Sequence, residues 1–85
     1  MKTHAIILES QGGPEVMQLK TIDIAEPSDG EILIEQTAIG LNYMDVYQRS
    51  GYYKMQTPMH LGLEAAGTVI KLGSGVTHLN VGDRV

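Results

Sequence analysis

The sequence of 85 residues contains no cysteine, which excludes disulfides, thiolate zinc sites and cysteine nucleophiles together. Basic side chains are scarce as well. Six lysines and arginines against ten acidic residues leave a net charge of -4, which offers little to a nucleic-acid backbone. No apolar run approaches the roughly 20 residues needed to cross a bilayer. The run Ile6-Ile7-Leu8, closed by Glu9, is too short for a secretory leader. These absences point to a cytoplasmic protein with neither a nucleic-acid nor a membrane partner. Repeats, low-complexity tracts and linkers are also missing. What is present is ordinary globular material, 42% hydrophobic and 19% charged. A chain of this length buries only about 60–65% of its unfolded surface, so its core is thin.

The local patterns describe a mainly β chain. Lys2 to Glu9 is rich in isoleucine and leucine and stops at Gly12-Gly13-Pro14, a strand followed by a tight reversal. Val16 to Ile24 is a second, less regular strand. Pro27-Ser28-Asp29-Gly30 is a turn, because proline presets its backbone and glycine accepts conformations that other residues resist. In the strand Glu31 to Leu41, Ile32, Ile34 and Ala38 fall on one face, and Glu31, Glu35 and Thr37 on the other. The period then changes. Asn42 can cap a helix from Tyr43 to Ser50, Asp45 sits where a carboxylate answers free amides, and Gly51 stops it. Asp45 and Arg49, four apart, are placed for a surface ion pair. Tyr52 to His60 is expected as an irregular loop and Ala65 to Leu72 as a strand. Gly73-Ser74-Gly75 and Gly82-Asp83 are turns, and Arg84-Val85 opens a further strand.

Candidate chemistry is concentrated in few places. His4, His60 and His78 are scattered without ligand spacing, so no metal site is expected. Gly73-Ser74-Gly75 begins like a dinucleotide fingerprint but ends in His78 with no helix after it, which makes it a turn. Glu64 lies in an otherwise uncharged run, Leu61 to Ile70, and is expected to be part-buried. It is a catalytic acid or, the preferred alternative, half of an ion pair that fixes the loop. The segment from Asn42 to Tyr47 joins a carboxamide and a phenol at the amino end of a short helix. Such a pair could orient a flat ring, or Asn42 is only a cap and Tyr47 only a half-buried core residue.

Several motifs in order carry a resemblance: Gly12-Gly13-Pro14-Glu15-Val16, Ala38 to Tyr47, Arg49-Ser50-Gly51, Gly62 to Gly67, Gly73 to Val76 and Gly82 to Val85. Across residues 1–85 the chain resembles the amino-terminal part of zeta-crystallin-like NADPH:quinone oxidoreductases. These form the zinc-free branch of the medium-chain dehydrogenase/reductase superfamily. The resemblance implies a GroES-like catalytic domain, a partly open β-barrel with one or two short helices. In zinc-containing relatives a cysteine stands where Asn42 stands here, and a histidine where Leu63 stands; both ligands are lost, so a zinc-independent oxidoreductase is implied. Asn42, Tyr43, Met44, Asp45, Val46 and Tyr47 would face the nicotinamide of NADPH. Asn42, Tyr47 and Tyr53 would line the space where a quinone or related conjugated carbonyl (an enone) takes up hydride.

The resemblance implies a Rossmann domain that binds most of the cofactor, and this domain is expected to lie outside these 85 residues. The expectation is therefore a truncated, incomplete domain that is inactive alone and self-associates through open sheet edges, or a homo-oligomer. The alternative is a non-catalytic GroES-like module that binds another protein.

Overall fold

The computed structural model describes residues 1–85 as five strands, one 3-10 helix and one α-helix: β1 (Lys2–Leu8), the 3-10 helix (Pro14–Val16), β2 (Met17–Asp23), β3 (Ile32–Ile39), α1 (Tyr43–Ser50), β4 (Met59–His60) and β5 (Ala65–Leu72). The chain is mainly β with open sheets, as expected. It divides into two compact units, the first from Met1–Ile24 and Gly40–Leu63, the second from Ala25–Ile39 and Glu64–Val85.

The first unit holds a three-stranded antiparallel sheet in the order β2-β1-β4. Along β1, exposed Lys2, His4 and Ile6 alternate with the more covered Thr3, Ala5 and Ile7, the period of two that a half-buried strand requires. Ile7 and Leu8 are flanked on both sides, opposite Gln18 and Met17 of β2 and opposite His60 and Met59 of β4. That double flanking makes them the unit's buried apolar residues, Leu8 completely so. The reversal between β1 and β2 contains the 3-10 helix, which starts at Pro14. Proline suits that position because its missing N–H would have had no helical partner. Residues 52–60, expected as a loop throughout, end in β4: Met59 and His60 find free backbone groups on β1 and pair with them.

The second unit is a bulged ladder between β3 and β5. Its turns follow one plan. The Glu31 N–H donates to the Ser28 carbonyl at 3.0 Å with Gly30 at φ 77°. The Asp83 N–H does the same to Asn80 at 3.1 Å with Gly82 at φ 96°, and Gly75 is at φ 82°. A positive φ at the third turn position favours glycine, which is why the glycine-marked turns were legible. Beyond its last turn the chain pairs with the free side of β5: Thr68 bridges Arg84, and Gly67 and Val85 exchange hydrogen bonds of 3.0 and 2.9 Å. β5 therefore runs between two neighbours, and Val69 near its middle is completely buried.

The strict alternation expected for β3 does not hold. Registers shift between Leu33 and Ile34 and between Gln36 and Ala38, so the ladder skips Ile70 on one strand and Thr37 on the other. A skipped residue turns the following side chains to the opposite face. Leu33 is consequently as covered as Ile32 and Ile34, while Ala38 is exposed. Beside the second bulge the backbones come close: a Cβ on Gly67 would collide with the Glu35 carbonyl and lie 3.0 Å from Gln36 Cα. Glycine is needed there for space.

Candidate functional site

The chemistry-bearing groups lie in the first unit, on α1 and the residues after it. Asn42 has extended backbone, φ -125° and ψ 154°, and hands the chain to the helix. Asp45 turns back on it. Its Oδ2 accepts the Asn42 backbone N–H at 3.0 Å, and its own N–H donates to the Asn42 carbonyl at 3.0 Å. A carboxylate there also answers the positive end of the helix. Asp45 is 7% exposed, and its Oδ1 is buried without a hydrogen-bond partner. So Asp45 does not form the surface ion pair with Arg49, whose Nη1 instead donates to the Gly12 carbonyl. Gly51, left-handed at φ 93°, ends the helix as expected.

The sequence contains neither phenylalanine nor tryptophan, and its four tyrosines form one cluster. Tyr47 is the hub. Its ring meets Tyr43 edge-on at 5.1 Å, Tyr53 edge-on at 5.7 Å and Tyr52 at 4.8 Å with a 33° tilt. Tyr52 and Tyr53 also meet edge-on, at 5.1 Å. Tyr43 and Tyr47 are four apart on α1, so they share a helix face. Tyr52 and Tyr53 return to that face because Gly51 reverses the chain and the Tyr53 N–H donates to the Tyr47 carbonyl at 3.3 Å. Edge-on and offset pairs are the favoured aromatic geometries. The cluster stays open to solvent: Tyr43 is 71% and Tyr52 72% exposed, and Tyr47 is half-buried.

Among the residues expected to face a cofactor, Asn42, Tyr43 and Met44 are exposed, Val46 and Tyr47 are half-buried, and Asp45 is buried. The cluster thus brings Tyr47 and Tyr53 together, and their helix begins at Asn42. Glu64, expected to be part-buried, is exposed, because it stands where β5 begins and its end lies open. Two residues were missed. Tyr52 was passed over inside what looked like loop, although its adjacency to Tyr53 after a helix-ending glycine was a usable signal. Gln11 gave no signal at all, yet its Nε2 donates to the carbonyls of Gln48 at 2.7 Å and Tyr53 at 2.6 Å.

The family profile described as Alcohol dehydrogenase GroES-like domain matches residues 28–85. The chain belongs to that family. Within the GroES-like family it is similar to the quinone oxidoreductase of Salmonella typhimurium, 51% identical over 81 residues, which are 94% of this chain and 25% of the relative. A quinone oxidoreductase of Pseudomonas aeruginosa is 48% identical over 75 residues, 87% of this chain and 23% of the relative. The crystal structure of Escherichia coli quinone oxidoreductase complexed with NADPH matches with a TM-score of 0.93 and 47% identity, over 96% of this chain and 26% of that one. The chain therefore spans about a quarter of the length of the relatives it matches. No helix is long and apolar enough to cross a membrane.

Proposed function

We propose that this GroES-like chain, residues 1–85 of the catalytic domain, supplies the quinone-facing wall of an NADPH-dependent oxidoreductase. The observation that carries the reading is the convergence of all four tyrosines on one partly open cluster at the helix capped by Asn42. Its relatives' names support it. A quinone or enone is flat and electron-poor, and tyrosine faces and edges suit it: each aromatic pair adds about 0.5–1.5 kcal/mol beyond area burial. Tyr47 and Tyr53 would hold the acceptor ring.

The residues around Asn42 also fit a nicotinamide. The exposed Asn42 would turn its carboxamide to the cofactor's own amide, and the exposed Tyr43 and Met44 with the half-buried Tyr47 would offer apolar surface. Asp45 contributes from beneath, by fixing the Asn42 backbone. When bound, NADPH supplies the hydride. The chain's own residues orient the two flat rings and exclude water from the space between them. Neither Asn42 nor Leu63 carries the thiolate or imidazole of zinc-dependent relatives, which supports hydride transfer without zinc.

A Rossmann partner half would hold the rest of the cofactor, so the 85-residue chain alone is expected to bind quinone weakly and to oxidise no NADPH. Titration with a naphthoquinone should quench tyrosine fluorescence. NADPH oxidation should appear only when a complementing carboxy-terminal half is added. Quinone-independent tyrosine emission would refute the reading. The exposed Leu19 on the edge strand β2, together with Leu41 and Leu63, further suits self-association or a homo-oligomer. Sedimentation over a concentration series measures it.

A further inference from the structure

We infer that Gln11 is a positioning residue for the tyrosine cluster, setting the spacing between Tyr47 and Tyr53; the inference rests on the ring-binding reading above. The last four carbonyls of an α-helix have no partner inside the helix. In α1 these belong to Tyr47, Gln48, Arg49 and Ser50. The Tyr53 N–H takes the first, Gln11 Nε2 the second, and the Gly12 N–H the third, at 2.8 Å. The reversal after β1 thus closes the helix end that carries the hub tyrosine.

Gln11 does more than cap. Both hydrogens of its carboxamide are used, one on the carbonyl next to Tyr47 in sequence and one on the carbonyl of Tyr53 itself. Its Oε1 accepts the Met55 N–H at 3.3 Å, so every polar group of the side chain is engaged. One rigid plane therefore fixes the helix end against the segment that carries Tyr52 and Tyr53. Arg49 holds the same junction through the Gly12 carbonyl. At Gly51 a Cβ would lie 3.7 Å from Gln11 Cβ, so the side chain packs against the reversal as well. A slot for a flat ring depends on ring separations held to a fraction of an ångström, and a carboxamide bonded on both walls supplies that.

The test uses Gln11→Glu, which keeps the acceptor for Met55 but removes both donors. Because tyrosine is the chain's only aromatic type, the near-ultraviolet circular dichroism band reports this cluster alone. The expected result is a weakened tyrosine band with the far-ultraviolet spectrum retained, and about tenfold weaker quenching by a naphthoquinone. Should that variant fail to fold, Gln11→Asn, with the same carboxamide on a shorter stem, should give the same change. Val69→Ala, a destabilising change in the other unit, should leave the band alone. An unaltered band in the folded Gln11 variant, or an equal loss in Val69→Ala, would overturn the inference. A band that weakens in the variant while quinone never quenches the parent chain supports the clamp and refutes the ring-binding reading.

Discussion

In the first unit, polar bonds converge on one helix end and every aromatic ring of the chain gathers beside it. In the second, glycine turns and a bulged ladder surround Val69, and the ion pair of Lys71 with Glu26 lies exposed at the surface. Both place their most buried residues on a strand with neighbours on each side, β1 in one and β5 in the other. They differ in what the remaining residues do. Local backbone geometry accounts for nearly every special residue of the second unit. In the first, Tyr43 and Tyr52 of the cluster stand 71% and 72% exposed although both rings pack on other tyrosines.

The comparison breaks most sharply at the two buried centres. Leu8→Ala should cost about 3 kcal/mol by cavity formation and should weaken the tyrosine band. Val69→Ala should cost about 2 kcal/mol and spare it. Denaturant titration followed by both near- and far-ultraviolet dichroism checks the pair. Equal loss of the band in both variants would mean that the units do not separate as described. Next in size, Tyr47→Ala removes the hub and should weaken naphthoquinone binding by about 1 kcal/mol, measured by calorimetry, with little change on Val76→Ala in the second unit.

The turn glycines sharpen the contrast further. Gly51→Ala and Gly75→Ala both force a left-handed backbone onto a side chain, at φ 93° and 82°, and should each cost about 1 kcal/mol. Only the first should disturb the tyrosines. Smallest is the acid response. A hydrogen bond from Lys71, reinforced by its charge, holds the Glu26 carboxyl below its usual 4.5. Its contribution is therefore present above that value and fades as pH falls through the lowered one. Lys71→Ala should return the carboxyl to its ordinary range, as carbon-detected NMR titration would read. The stability change should be slight, because both groups are exposed.

Much of the fold was legible where a residue type forces a backbone state. Asn42, Asp45 and Gly51 marked α1 to the residue, and the glycine turns separated the strands. β5 was legible from its own apolar run. The bulges at Thr37 and Ile70 were not, because a skipped residue leaves no mark on a hydrophobic pattern. β4 was hidden for a related reason: two residues are too short to show a period, and only the free side of β1 defines them. At the candidate site, Asn42 and Tyr47 were visible as residue types that suit flat rings, and Tyr53 only through the family resemblance. Gln11 was not, because its partners lie more than 35 residues away, and Tyr52 showed only in its adjacency to Tyr53 after Gly51. Glu64 failed in the opposite direction: an uncharged stretch suggested burial, but the residue stands just before β5, where Ala65 and Ala66 are exposed as well.

The most direct test is NMR mapping of a naphthoquinone on the 85-residue chain, with ring resonances of all four tyrosines and the methyls of Val69 and Leu8 assigned. The tyrosine-cluster account predicts shifts largest at Tyr47 and Tyr53, smaller at Tyr43 and Tyr52, and absent at Val69. Saturable binding with the tyrosine rings unmoved, or shifts centred on the second unit, would contradict it.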